Sequence, residues 1–193
     1  MQAGAFFPDW GYQCIGTNDD AEAAHWPPFL IAAVEHIISH YGYLNSTRPA
    51  EEQAHLESLV GFVFAIASHQ AADATWHAIR LPTGLLAALT GVDFDGDTNA
   101  AHRVLDFGGD VVFATRIARM GEDGKGWISD EWMVPLDDLV RIYARMGRDV
   151  SKFVVRYCTM RGLAALRSGL AAGPRLFVFP KSPWGSITDR WWG

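Results

Sequence analysis

Apolar positions recur at helical spacing through most of the chain. Between Phe29 and Tyr41, Leu30, Val34, Ile37 and Ile38 fall near one stripe, and Gly42 follows where a helix C-terminal cap belongs. From Glu51 to Arg80 the residues Leu56, Leu59, Val60, Val63 and Ile66 repeat the pattern, predicting a long, mostly buried helix bounded by Pro82 and Gly84. Leu85 to Leu89 predicts a short helix ending at Gly91, and Asp97 or Thr98 can cap another that runs to Asp106 and stops at Gly108-Gly109. Pro135 suits a helix start, with Asp137 and Asp138 at its positive dipole end and Arg141, Arg145 and Gly147 at its far end. Ser151 to Leu170 is a further amphipathic helix.

The remaining segments carry less periodicity. Residues 1 to 28 are punctuated by Gly4, Pro8, Gly11, Gly16 and Pro27-Pro28 and predict irregular chain rich in aromatics. Gly121 to Asp130 predicts an exposed loop. Alternation of the strand type is confined to a weak stretch at Leu176 to Phe179, so the fold class expected is all-α, a multi-helix bundle.

At 193 residues, with 49% apolar and 20% charged content, the chain can bury one substantial core, which excludes intrinsic disorder and a disulfide miniprotein. The longest apolar run, Leu59 to Ala67, is too short to cross a bilayer, and the opening residues do not read as a secretory leader. Cys14 and Cys158 allow at most one intrachain bridge. The net charge of −6 hides an asymmetry: residues 1–140 carry 6 Lys and Arg against 20 Asp and Glu, whereas 141–193 carry 10 against 2. An acidic whole argues against wrapping nucleic acid. The basic tail reads either as a solvated helix face or as an attractor for an anionic substrate or lipid surface.

All seven histidines lie in the acidic part. Three groups of the long helix stand out, His69-x-x-x-Asp73-x-x-x-His77. Positions four apart drift only about 40° around a helix axis, so all three project from one side. His102-x-x-x-Asp106 repeats the geometry on a later helix, and carboxylates and imidazoles facing each other across a bundle are a recurrent metal-binding arrangement. His36 and His40 are also four apart but have no carboxylate in register, and read as polar-face residues; His55 reads as solvated. Asp93-x-Asp95-Gly96-Asp97 opens like a calcium loop, yet the twelfth position is Val104, so the stretch is expected to be a turn. Neither a Walker loop, a dinucleotide glycine pattern, a nucleophile elbow nor a paired CxxC occurs.

Four pieces in order carry a resemblance: Gly4-Ala-Phe-Phe-Pro-Asp9, His25-Trp26, Ser68-His-Gln-Ala-Ala-Asp-Ala-Thr-Trp-His77 and Ala101-His-Arg-Val-Leu-Asp-Phe-Gly-Gly-Asp110. Together they resemble the catalytic domain of the glycosylphosphatidylinositol-specific phospholipases D, within the zinc-dependent phospholipase C family. The likeness continues through Trp132-Met-Val-Pro-Leu-Asp-Asp-Leu139 and weakens toward Lys181-Ser-Pro183. It implies one zinc-dependent phospholipase-like domain over residues 1–193, and two ligand groupings: Asp9, His25, His69 and Asp73 around one zinc, and His77, His102 and Asp106 around another. Asp73 would also bridge to a third metal. That third site is expected to be incomplete, because the family draws on an early histidine and none precedes His25. The chain is accordingly expected to be truncated at both ends, as the terminal Trp191-Trp192 pair also suggests.

The chemistry implied is hydrolysis of a phosphodiester by zinc-activated water, with Asp9 and Asp73 as catalytic candidates and Asp9 placed to position or deprotonate the water. The implied substrate is a phospholipid or lipid-anchored glycan met at a membrane surface, with no nucleic acid. Trp10, Trp26 and Trp76 are candidates for contacting it, with core packing as the alternative. The resemblance implies an extracellular location, and Asn45-Ser46-Thr47 offers a glycosylation triplet compatible with it. Two alternatives remain: a zinc nuclease acting on single-stranded nucleic acid, and a non-catalytic remnant.

Overall fold

A computed structural model of the chain describes residues 2–12, 14, 16–43, 46–77, 83–102, 104–106 and 132–177, with side chains in the last helix described through Ser168. The described residues are all-α: helices α1 (Gln2–Phe6), α2 (Asn18–Ala24), α3 (Pro27–Tyr41), α4 (Ala50–Trp76) and α5 (Leu85–Asp93), then α6 over residues 98–102 and 104–106, α7 (Leu136–Arg145) and α8 (Lys152–Phe177), plus a 3-10 turn at Phe7–Asp9. The chain forms two compact units. One comprises Met1–Ala72 with Asp130–Leu163, the other Asp73–Ser129 with Ala164–Gly193.

The first unit is built around aromatic rings. Phe7 is fully buried and lies 5.3 Å from the Phe62 ring and 6.0 Å from Phe29, centroid to centroid. Trp10 donates its indole N–H to the Tyr143 hydroxyl at 3.0 Å, and Tyr143 in turn donates to the Asp20 carbonyl at 2.8 Å, so both buried polar tips are satisfied. Burial pushes the Tyr143 hydroxyl well above its ordinary pKa. Leu56, Leu59 and Ile66 of α4, Leu139 and Ile142 of α7, and Val155 and Leu163 of α8 complete the core. A disulfide between Cys14 and Cys158 joins the turn after Asp9 to α8.

Residues 1–28 depart from the expected irregular chain. They hold α1, the 3-10 turn and α2, elements of five, three and seven residues, too short to display a helical period and fixed by packing onto the core. In α3 the buried side is Phe29, Ala32, Ala33, His36 and Ile37, while Val34 and Ile38 face outward, so the expected stripe is rotated. The reason is α7: Phe29 meets Tyr143 edge-on at 5.2 Å, and His36 reaches Asp138. Gly42 caps α3 as expected, with a positive φ of 72° and its N–H donating to the Ile38 carbonyl.

The second unit has a small core of Leu86, Leu89, Ala101 and Leu105, flanked by Trp76 and Phe94. Helix α5 runs past Gly91 to Asp93. Asp97 caps α6, its carboxylate accepting from the Ala100 N–H at 3.0 Å, and Asp95 and Gly96 form the expected turn at positive φ. Residues 176–177 are helical and not strand. Arg80, Gly108-Gly109, the 121–130 loop, Asn45, Pro183 and the Trp191-Trp192 pair lie outside the described residues.

Candidate metal centre

In the first unit, the turn Phe7–Asp9, the end of α2 and the last third of α4 bring Asp9, His25 and His69 together, with one potential ligand atom from each within 4.8 Å of the others. Gly4 makes this possible. A Cβ there would lie 2.3 Å from the Phe62 carbonyl oxygen, so glycine lets α1 press against α4 and delivers the Ala5 carbonyl to His69. That carbonyl accepts from His69 Nδ1 at 2.7 Å, and the Ala21 carbonyl accepts from His25 Nδ1 at 3.1 Å. A carbonyl can only accept, so each Nδ1 carries the proton and each Nε2 in the neutral ring offers a lone pair.

Both Nε2 atoms face the Asp9 carboxylate, that of His25 within hydrogen-bond distance. His25 Nε2 lies 3.2 Å from Asp9 Oδ1 and His69 Nε2 lies 3.9 Å from Asp9 Oδ2. His69 Nε2 is buried and has no hydrogen-bond partner. A buried imidazole nitrogen without a partner, facing a carboxylate, is costly unless a cation lies between them. Neutral imidazoles oriented by backbone carbonyls, together with one carboxylate, are the donor set zinc takes in three-ligand sites. The residues fit the metal. Asp9 is the open side of the group, its side chain 45% exposed against 8% for His25 and 17% for His69.

In the second unit, His77, His102 and Asp106 form a second convergent group. The two imidazole rings stack with centroids 4.8 Å apart. Asp106 accepts from Trp76 Nε1 at 2.6 Å through one oxygen, while its other oxygen lies 2.7 Å from His102 Nδ1. The indole thus orients a carboxylate in the manner of the outer partners of metal ligands. Asp73 Oδ1, in the last turn of α4, lies 3.2 Å from Nε2 of His77, the residue just past the helix end.

The three tryptophans separate. Trp10 is 1% exposed and belongs to the core, so it offers no surface. Trp26 is half-buried and donates to Glu22 Oε1 at 2.8 Å, and Trp76 serves Asp106. Glu22 also accepts from Tyr12, whose ring lies 5.4 Å from that of His25. The Tyr12 hydrogen bond holds the Glu22 carboxyl below the usual range against its partial burial, helped by Trp26 and the nearby His25.

A third cluster was not legible in the sequence. Asp138 is 2% exposed; its Oδ1 lies 2.7 Å from His36 Nε2 and accepts from the Tyr41 hydroxyl at 2.9 Å, and its Oδ2 lies 2.8 Å from His55 Nε2. His36 is therefore not the polar-face residue expected, whereas His55 is exposed as expected. His36 is buried, and the solvent-facing ring of His55 reaches a buried acid through Nε2. Burial alone raises Asp138, but the hydrogen bonds from His36, His55 and Tyr41 outweigh it and hold the carboxyl below its ordinary value. Burial, followed by the same contact with Asp138, pushes the Tyr41 hydroxyl up to about 12.

Comparison with known proteins decides the family. The profile of zinc dependent phospholipase C matches residues 1–160. The chain belongs to the zinc-dependent phospholipase C family. The all-α architecture of the described residues accords with that membership. Among curated relatives, phosphatidylinositol-glycan-specific phospholipase D of Dictyostelium discoideum is 38% identical over 148 residues, covering 76% of this chain and 14% of the relative. The Homo sapiens protein of the same name is 38% identical over 154 residues, covering 77% and 17%, and that of Rattus norvegicus 33% over 182 residues, covering 91% and 20%. The chain thus spans a fifth or less of the length of these relatives. No solved structure matches it.

Proposed function

We propose that this chain is a zinc-dependent phosphodiesterase domain that hydrolyses glycosylphosphatidylinositol anchors or related phospholipids. The observation that carries the reading is the pair of His/Asp groups, above all the buried His69 Nε2 turned toward Asp9 without a hydrogen-bond partner. Asp9, His25 and His69 would hold one ion, and His77, His102 and Asp106 another. A bound zinc ion supplies Lewis-acid polarisation of phosphoryl oxygen and lowers the pKa of water. The likeness to relatives named for phosphatidylinositol-glycan supports the anchor as substrate.

The chain's own groups have distinct tasks. His25 and His69 are locked at Nδ1 by backbone carbonyls and cannot rotate to shuttle protons. The exposed carboxylate of Asp9 is the group able to take the proton of an incoming water. Asp73, paired with His77, is the second carboxylate of the catalytic set. Overall, one water is consumed: its oxygen bonds to phosphorus, the bond from phosphorus to the inositol oxygen breaks, and that oxygen leaves protonated, giving phosphatidic acid and the free glycan. The disulfide supports an extracellular setting, since such bonds persist in oxidising compartments.

Elemental analysis of the purified protein is expected to find at least two zinc ions per chain. His69→Ala and His102→Ala should each lose one ion and abolish release of an anchored reporter protein from lipid. Metal-free protein with unchanged turnover, or hydrolysis of single-stranded nucleic acid in place of lipid, overturns the reading.

A further inference from the structure

We propose that the outward face of α8 is a docking surface for an anionic lipid membrane. Phe153, Tyr157 and Met160 stand 75%, 57% and 43% exposed, large apolar side chains that a folded protein normally hides. Their spacing of four and three residues places them within roughly 60° of arc on the helix. The rings of Phe153 and Tyr157 stack in parallel, 6.3 Å between centroids, forming one continuous apolar ridge. The opposite side of the helix, Val155, Cys158, Thr159 and Leu163, is buried in the first unit.

Charge identifies what covers the ridge. Arg156 and Arg161 flank it on either side, both exposed and neither with an acidic partner among the described residues. No Asp or Glu occurs between Asp149 and Asp189, although the chain as a whole is acidic. An apolar ridge bordered by cations is the arrangement of helices that lie in the plane of a membrane interface, with rings among the acyl chains and guanidinium groups on anionic headgroups. An apolar protein partner would not call for unpaired cations along both borders. No helix of the described residues is long and apolar enough to cross a membrane. The ridge is also held rigidly. Cys158 on the buried side is bonded to Cys14, five residues after Asp9, and Gly162 lets Phe6 of α1 sit against α8. Docking α8 therefore fixes the Asp9 group relative to the lipid surface. In this respect the inference rests on the phospholipase reading, whereas membrane binding itself does not.

The test is co-sedimentation of the full chain with phosphatidylcholine vesicles with and without phosphatidylserine. Wild type should bind the anionic vesicles and lose that binding in high salt. Arg156→Gln with Arg161→Gln should weaken it by roughly thirtyfold, the effect of removing two surface cations. Phe153→Ser with Tyr157→Ser should weaken it comparably while leaving turnover of a soluble short-chain phosphodiester unchanged. Wild type that ignores phosphatidylserine, variants that bind like wild type, or ridge variants that instead dissociate a lipid-free dimer would each overturn the proposal. Wild type that binds vesicles but hydrolyses neither substrate supports docking and counts against the phospholipase reading alone.

Discussion

Asp138 shows how one side chain can bind three helices together. Its carboxylate is buried and reached by His36 and Tyr41 from α3 and by His55 from α4, while it sits in the first turn of α7. Removing it leaves the buried His36 N–H without an acceptor, so Asp138→Ala is expected to cost about 3 kcal/mol. The pH dependence has a definite sign. The folded carboxyl titrates below its ordinary value of 3.8, so its contribution is complete above that value and is lost as pH falls through the lower, folded value. The stability gap between wild type and Asp138→Asn, read from denaturant midpoints, should accordingly narrow as pH drops below about 4; a gap that stays constant from pH 7 to 3 would remove the assigned role. At this scale legibility follows sequence distance. The His69, Asp73, His77 and His102, Asp106 spacings are local and visible on a helical repeat, whereas the partners of Asp138 lie 83 to 102 residues away and carry no pattern in its neighbourhood. Its charge at a helix start had a sufficient local explanation in the dipole, which concealed the stronger one.

Among the elements, long helices announce themselves and short ones do not. Helix α4 declares itself through Leu56, Leu59, Val63 and Ile66, all buried, whereas α1 has five residues and owes its existence to a surface of α4 beginning more than 40 residues later. The contact between them is set by Gly4. Gly4→Ala would drive a Cβ to within 2.3 Å of the Phe62 carbonyl oxygen and 2.9 Å of Ala65 Cβ, backbone and helix surface that have little room to yield. The expected outcome is a loss of about 1–3 kcal/mol from overpacking. As α1 lifts, the Ala5 carbonyl leaves His69 Nδ1, and loss of such an orienting partner should weaken metal at the Asp9 group by roughly tenfold or more. The His77, His102 and Asp106 group should be unaffected in the same chelator competition. Gly91, on α5 with nothing within 4 Å of an added Cβ, supplies the control: Gly91→Ala should be neutral or stabilising by up to about 1 kcal/mol. Equal effects from the two substitutions would mean that close approach is not the function of Gly4. The rotated stripe of α3 has a related cause. Alanines 32 and 33 and His36 win the inner side because α7 presents Tyr143 and Asp138 to them, a preference that hydrophobicity alone misorders.

Across the whole chain, the Cys14–Cys158 bond is the longest covalent constraint, closing a separation of 144 residues. The first unit is assembled from two passes, Met1–Ala72 and Asp130–Leu163, and this bond staples one to the other. Two cysteines in the sequence permit a bridge without requiring it; what decides is that the turn after Asp9 and the buried side of α8 meet. A loop of that length restricts the unfolded chain strongly, and chain-entropy reasoning puts the stabilisation at up to about 5 kcal/mol. That is a large share of the roughly 5–15 kcal/mol by which domains are stable, so reduction should shift the denaturant midpoint far more than typical surface substitutions do. The consequence should also reach the metal. Cys14 follows Asp9 by five residues and precedes α2, which carries His25 at its end, so release of this turn frees two of the three ligands of the first group. Wild type treated with reductant, and Cys14→Ser with Cys158→Ser in any redox state, should share the same lowered midpoint and the same weakened first zinc, with the variant indifferent to reductant. If instead the reduced wild type keeps its midpoint and its full zinc content, the two passes are held by packing alone, and the bond contributes neither to the stability of the unit nor to the order of its metal ligands.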